Sequence, residues 1–174
     1  MGLRENIAKM RSELDAAAMA AGRDPADVTL LAATKTQTSD AIRESIAAGI
    51  TVCGENRVQE LTAHLDDNAY EGAQVHFIGH LQTNKVKYVV GRVELIHSVS
   101  SEKLLLAIDA QAGKLRVVQD ILLEVNLAGE ESKSSFAPRE AVEAAEKAAA
   151  LSHVRLRGLM CIPPISTQAG ENLP

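Results

Sequence analysis

The sequence predicts an α/β chain of parallel strands joined by helical crossovers, and three observations carry that prediction. From about residue 27 onward, short β-type runs alternate with segments of helical period. Several of the runs are nearly all apolar rather than alternating, as expected of strands covered on both faces. Each run then gives way to a polar residue at its carboxyl end, the place where chemistry sits in barrels and open α/β sheets alike.

Taken in order, the chain opens with an Ala-rich amphipathic helix over 3–21, in an amino-terminal segment 1–22 that stops near Gly22, where Asp24-Pro25 supplies a turn. Six strands follow: Val28 to Thr34, Ile50 to Cys53, Val75 to Ile78, Leu95 to Val99, Ile121 to Asn126 and Val154 to Met160. Helices are expected between them at 39–48, 56–66, 82–91, 101–113 and 138–151, several opened by capping residues such as Thr38, Ser100 and Pro138. The strand ends read Lys35, Glu55-Asn56, Gly79-His80, Ser98, Asn126 and Met160-Cys161, and these are the site candidates. No low-complexity linker interrupts the run, so residues 1–174 are read as a single domain, with IPPISTQAGENLP as a loop leaving the sixth strand.

Composition excludes several function classes. Hydrophobic residues make up 46% and charged residues 24%, which suits a soluble globular protein and argues against disorder or a membrane span. With no Trp, two Tyr and two Phe, an aromatic platform for stacking bases is not expected. The net charge is −5 and the basic residues are scattered, so nucleic acid is a poor partner. MGLRENIAKMRSEL has charges every few residues and no apolar run, unlike a secretion signal or an anchor, and a cytoplasmic address is expected. Cys53 and Cys161 have no CxxC spacing and lie in apolar stretches, where reduced, packed thiols are expected.

Common nucleotide and zinc-protease signatures are absent from the sequence. His76 and His80 are four apart, but one falls in a strand and one after it, so they do not share a helix face and no metal site is expected. Lys35 ends the first strand in LLAATKT, where Leu31, Ala33 and Lys35 should point the same way and carry the amine into the mouth of the sheet. Partial burial there would favour the neutral amine, which attacks an aldehyde to form an imine. By itself such a residue reads better as a solvated lysine closing a strand. In CGENRVQE, residues 53–60, a strand ends and a helix begins, placing Asn56 one strand over from Lys35. Its uncharged amide can hydrogen-bond a ring hydroxyl, and a plain turn with a helix cap would look similar. In HFIGHLQTNKVK, residues 76–87, Gly79 permits close backbone approach at a strand end, or simply makes a strand-to-helix turn.

Through LLAATKT, CGENRVQE, HFIGHLQTNKVK, IHSVSS, LLEVNLAGEESKSS and LRGLMCIPP, in this order, the chain resembles the pyridoxal-phosphate homeostasis family, related in fold to the amino-terminal domain of alanine racemase. Singly these words are weak; in order, over nearly the whole chain, they are highly specific. The resemblance implies a (β/α)8 TIM-type barrel, with Lys35 matching the lysine that holds pyridoxal 5'-phosphate as a Schiff base and Asn56 matching an asparagine beside the cofactor ring. It places Ser98, Asn126 and Met160 on strand ends that wall the pocket, and Glu130-Glu131-Ser132-Lys133-Ser134 in a loop after the fifth strand. The family continues with a seventh strand to a serine-rich turn and an eighth to a Gly-Ser-Thr turn, which hold the phosphate. Neither is present before Pro174, and a full barrel typically needs ~250 residues. The expectation is therefore a barrel that ends after its sixth strand, with open edges that invite self-association.

The implied function is cofactor homeostasis: binding pyridoxal phosphate through Lys35 without robust turnover, with hand-over to apo-enzymes that depend on the cofactor. The alternatives are a racemase-like or decarboxylase-like enzyme, which needs an acid/base group on the other face of the ring, and a barrel module that binds no cofactor.

Overall fold

The computed structural model describes residues 2–127 and 135–163. These form two compact units, Met1–His76 and Phe77–Pro174. The strands alternate with helices, and their order in the sheet follows chain order.

The first unit opens with α1, Leu3–Ala20, whose first turn is tied by the Gly2 N–H donating to Glu5 Oε2 at 3.0 Å. Gly22 takes a left-handed φ of +70°, which lets the Arg23 N–H turn back to the Ala18 carbonyl at 2.9 Å and stop the helix. Asp24 then caps a 3-10 turn over Pro25–Asp27, and Arg11 reaches from α1 to the carbonyls of Pro25 and Val28. Strand β1, Leu31–Ala33, leads to α2, Ser39–Ala47, and β2, Val52–Glu55, leads to α3, Val58–Asp66. β1 and β2 are parallel, with Leu31 opposite Val52 and Ala33 opposite Gly54. Every residue of β2 is buried, as an apolar run covered on both faces should be. Strand β3, Gln74–Phe77, closes the unit and begins the next.

The expected first strand, Val28 to Thr34, is shorter in the structure. Its ladder partner begins at Val52 opposite Leu31, so residues 28–30 have no neighbour to pair with, and a strand exists only where a ladder does.

In the second unit, β4 is Leu95–Val99, α4 Glu102–Leu115, β5 Gln119–Glu124, α5 Pro138–Ala150 and β6 Val154–Met160. Both β4–β5 and β5–β6 are parallel. The β5–β6 register slips between Ile121 and Leu122, where Arg157 is left without an opposite residue and Gly158 takes a φ of +152°. Phe77, Ile96, Leu105, Ile108, Ile121 and Leu123 are fully buried, giving this unit an aliphatic core built almost without aromatics. Buried Gln119 satisfies its amide by accepting from the Gly91 N–H and donating to the Val93 carbonyl.

The segment expected as a helix over 82–91 is a 3-10 helix, Thr83–Tyr88. Its bonds run three residues back, as from the Lys85 N–H to the Gln82 carbonyl, and no side chain caps its start. Crowded β-branched residues (Val86, Val89, Val90), all buried, suit this tighter packing better than a long α-helix. The α4 cap is Ser101, whose hydroxyl accepts from the Leu104 N–H at 3.3 Å, rather than the expected Ser100, which is buried. Thr38 and Pro138 open α2 and α5 as expected. In β6 only Val154 is buried, and the residues after it alternate exposed and half-buried instead of being covered throughout. Cys53 is buried, but Cys161 is exposed rather than packed, because it lies just beyond the last residue of β6; both thiols are free.

Candidate functional site

The ladder between β1 and β2 runs one residue past β1, with the Thr34 N–H donating to the Gly54 carbonyl at 2.9 Å. Lys35 stands immediately after that last bond, in a turn, and is exposed. Partial burial of its amine is not found: the apolar LLAAT run ends in the ladder at Thr34, and the chain turns outward at the next residue. Asn56 follows the last residue of β2, so the structure brings Lys35 and Asn56 to the carboxyl ends of paired strands. The Asn56 Oδ1 is buried and accepts no hydrogen bond. An amide oxygen in that state fits a ligand hydroxyl.

Adjacent to these two residues in sequence, Thr34 and the strand-end candidate Glu55 belong to a buried polar cluster whose partners sequence reasoning did not name. Glu55 is 0% exposed, and its Oε1 accepts from Thr34 Oγ1 at 2.7 Å and Tyr70 Oη at 2.7 Å, with His64 Nδ1 at 3.0 Å. Thr34 Oγ1 also lies 3.2 Å from the Gly54 carbonyl, but a hydroxyl has one proton, and the shorter contact takes it. The other carboxylate oxygen, Oε2, is buried without a partner. Burial and the bond to Glu55 both raise the Tyr70 phenol, which keeps its proton as a donor. Burial, and secondarily the Glu55 charge, push the neighbouring Cys53 thiol up to about 11, so this cysteine is an inert packing group. A glutamate ending an otherwise apolar strand was the available signal. Its partners at positions 34, 64 and 70 share no pattern in the sequence and meet only through the fold.

The remaining strand-end candidates lie in the second unit. Ser98, next to last in β4, is buried and donates its hydroxyl to the Gly79 carbonyl, so its hydroxyl is engaged within the fold. Asn126 follows β5, where its N–H donates to the Phe136 carbonyl, and the Val125 N–H donates to the carbonyl of Met160 at the end of β6. The Glu130–Ser134 loop lies outside the described residues, as does the chain beyond Pro163.

Residues 3–172 match the model of the family described as alanine racemase, N-terminal domain. The chain belongs to this family. Among curated relatives, the pyridoxal phosphate homeostasis protein of Aquifex aeolicus is 41% identical over 160 residues, covering 92% of this chain and 70% of the relative. That of Pseudomonas aeruginosa is 40% identical over 169 residues, covering 97% of this chain and 74% of the relative. Solved structures agree. An unknown protein from Bifidobacterium adolescentis superposes with a TM-score of 0.89 at 36% identity, over 95% of this chain and 71% of that one. PipY of Synechococcus elongatus, with pyridoxal phosphate bound, gives 0.81 at 32% identity, over 95% and 72%. Alanine racemase of Clostridium difficile shares the fold, with a TM-score of 0.65 at 11% identity over 78% of this chain and 36% of that one. Within the alanine racemase N-terminal domain family, this chain therefore stands with the pyridoxal phosphate homeostasis proteins.

Proposed function

We propose that this chain binds pyridoxal 5'-phosphate, with Lys35 as the covalent attachment point and Asn56 as a hydrogen-bonding partner of the ring, and that it holds the cofactor without turning over a substrate. The observation that carries the proposal is the pairing of an exposed lysine at the end of β1 with a buried, unsatisfied amide oxygen just past the end of β2. The PipY relative solved with pyridoxal phosphate supports it.

Bound there, the cofactor supplies an aldehyde. Lys35 would hold that aldehyde through its side-chain nitrogen, and Asn56 would accept a hydrogen bond from the ring. An exposed amine is reached by the cofactor without any movement of the core. The two described carboxylates at this end of β1 and β2 are engaged within the fold, Glu55 by Thr34, Tyr70 and His64 and Glu60 by Thr36 and Arg57. That arrangement suits storage of a reactive aldehyde and delivery to apo-enzymes that use it.

Among the described residues no helix is long and apolar enough to cross a membrane. A cytoplasmic address belongs to the same proposal.

Adding pyridoxal phosphate to the chain tests it: the expected result is a visible absorption of the C=N adduct that is absent in Lys35→Ala. Incubation with L-alanine should give no D-alanine above the level produced by free cofactor. An adduct of equal size in Lys35→Ala removes the proposal, and robust racemisation replaces storage with catalysis.

A further inference from the structure

Thr36, the residue after Lys35, has a φ of +62°. A β-branched side chain is strained in the left-handed region and stays there only when its surroundings impose it. Here the Thr36 N–H donates to Glu60 Oε2 at 3.1 Å, and the other oxygen of Glu60 is engaged by Arg57 at 3.3 Å. On the other side of Lys35, Thr34 is fixed twice, by its N–H to the Gly54 carbonyl and by its hydroxyl to Glu55 Oε1. The Gln37 N–H closes the turn on the Thr34 carbonyl at 3.1 Å. Both neighbours of Lys35 are thus bonded to one stretch of chain, Gly54 to Glu60, which ends β2 and begins α3.

We propose that Glu55 and Glu60 are positioning residues, which clamp the Thr34–Lys35–Thr36 turn from both sides and set the direction in which Lys35 leaves the backbone. This rests on the reading of Lys35 as the attachment point. Glu60 is the informative half of the clamp. Its side chain is partly exposed on the first turn of α3, so it can be changed without opening the core, whereas Glu55 cannot. Loss of the Glu60 acceptor leaves Thr36 with nothing to offset its left-handed strain, and the turn relaxes toward ordinary φ values. A glycine at 36 carries no such strain and needs no acceptor.

Four forms of the full chain separate this from a general effect on α3: the parent, Glu60→Ala, Glu60→Gln and the double variant Glu60→Ala with Thr36→Gly. Two quantities are read on each, the rate of C=N adduct formation with pyridoxal phosphate and the exchange rate of the Thr36 amide by NMR. Glu60→Ala should slow adduct formation about tenfold and speed Thr36 exchange by a similar factor. Glu60→Gln retains an acceptor oxygen and should stay within about twofold of the parent on both. The double variant should recover adduct formation to within about threefold. A merely structural role for the Glu60 charge at the helix start would move Gln and Ala alike and would not be rescued by glycine, and that pattern overturns the clamp. Unchanged Thr36 exchange in Glu60→Ala overturns it too, as does faster exchange with an unchanged adduct rate. If the parent gives no adduct at all, the reading of Lys35 fails and the positioning role falls with it, while Thr36 exchange still reports whether Glu60 holds the turn.

Discussion

Glu55 is a carboxylate with no exposure to water, held by a threonine, a tyrosine and a histidine on a single oxygen. Such a group is costly to bury, and it persists because several donors converge on it. Removing one donor leaves the carboxylate under-satisfied, so Tyr70→Phe should lower stability by about 1–2 kcal/mol, measured as a shift in the urea midpoint with an unchanged slope. The two cysteines should part company under an alkylating reagent. Native protein at mildly alkaline pH is expected to take one label, on exposed Cys161, while Cys53 reacts only after unfolding, since burial keeps its thiol protonated. Peptide mapping of the labelled protein checks this directly. At this scale the sequence was legible in part. LLAATKT and CGENRVQE pointed to Lys35 and Asn56, and the structure puts both at adjoining strand ends. The exposure of Lys35 and the partners of Glu55 were not legible, because a turn direction and a three-way convergence of residues 34, 64 and 70 depend on where the chain returns after α3.

Two helices, α2 and α4, are held at their starts by a capping hydroxyl that can be removed without touching the core. Thr38 caps α2 by accepting from the Ala41 N–H at 3.2 Å, and Ser101 caps α4. Thr38→Ala and Ser101→Ala should each lower stability by about 1 kcal/mol, whereas Ser100→Ala should have no capping effect; thermal unfolding of the three variants separates them. The strands that were placed best, Leu95–Val99 and Val154–Met160, are apolar or β-branched runs flanked by polar punctuation, and their bounds are those expected. β1 fails at its front end because pairing, and not propensity, sets where a strand begins, and β2 and β5 are displaced from their expected 50–53 and 121–126 to Val52–Glu55 and Gln119–Glu124. Residues 83–88 show the same limit: a periodic apolar pattern does not distinguish a short 3-10 segment from an α-helix when packing decides the pitch.

For the molecule as a whole, the half-buried histidine of β3, His76, links folding to pH. Burial holds His76 below its ordinary value of 6.5, so the unfolded chain binds a proton more readily than the folded one as pH drops through that value. Its contribution is present above the ordinary value of 6.5 and is lost as pH falls below it. The urea midpoint should decline below that value, and His76→Gln should flatten the decline. Among the described residues, β6 ends the strand order with β5 as its neighbour, and Leu159 is 62% and Ile162 61% exposed. Exposed aliphatic side chains on a strand paired with β5 alone among the described residues form a template for pairing, and we propose self-association there. Sedimentation velocity should show concentration-dependent growth that Leu159→Lys suppresses.

The most direct trial of the account is to reduce the chain with borohydride after exposure to pyridoxal phosphate and to map the modified peptide. The account predicts one pyridoxyl group, on Lys35 in the peptide that contains LLAATKT; a chain that stays unmodified there, or carries the group on other lysines in equal measure, contradicts it.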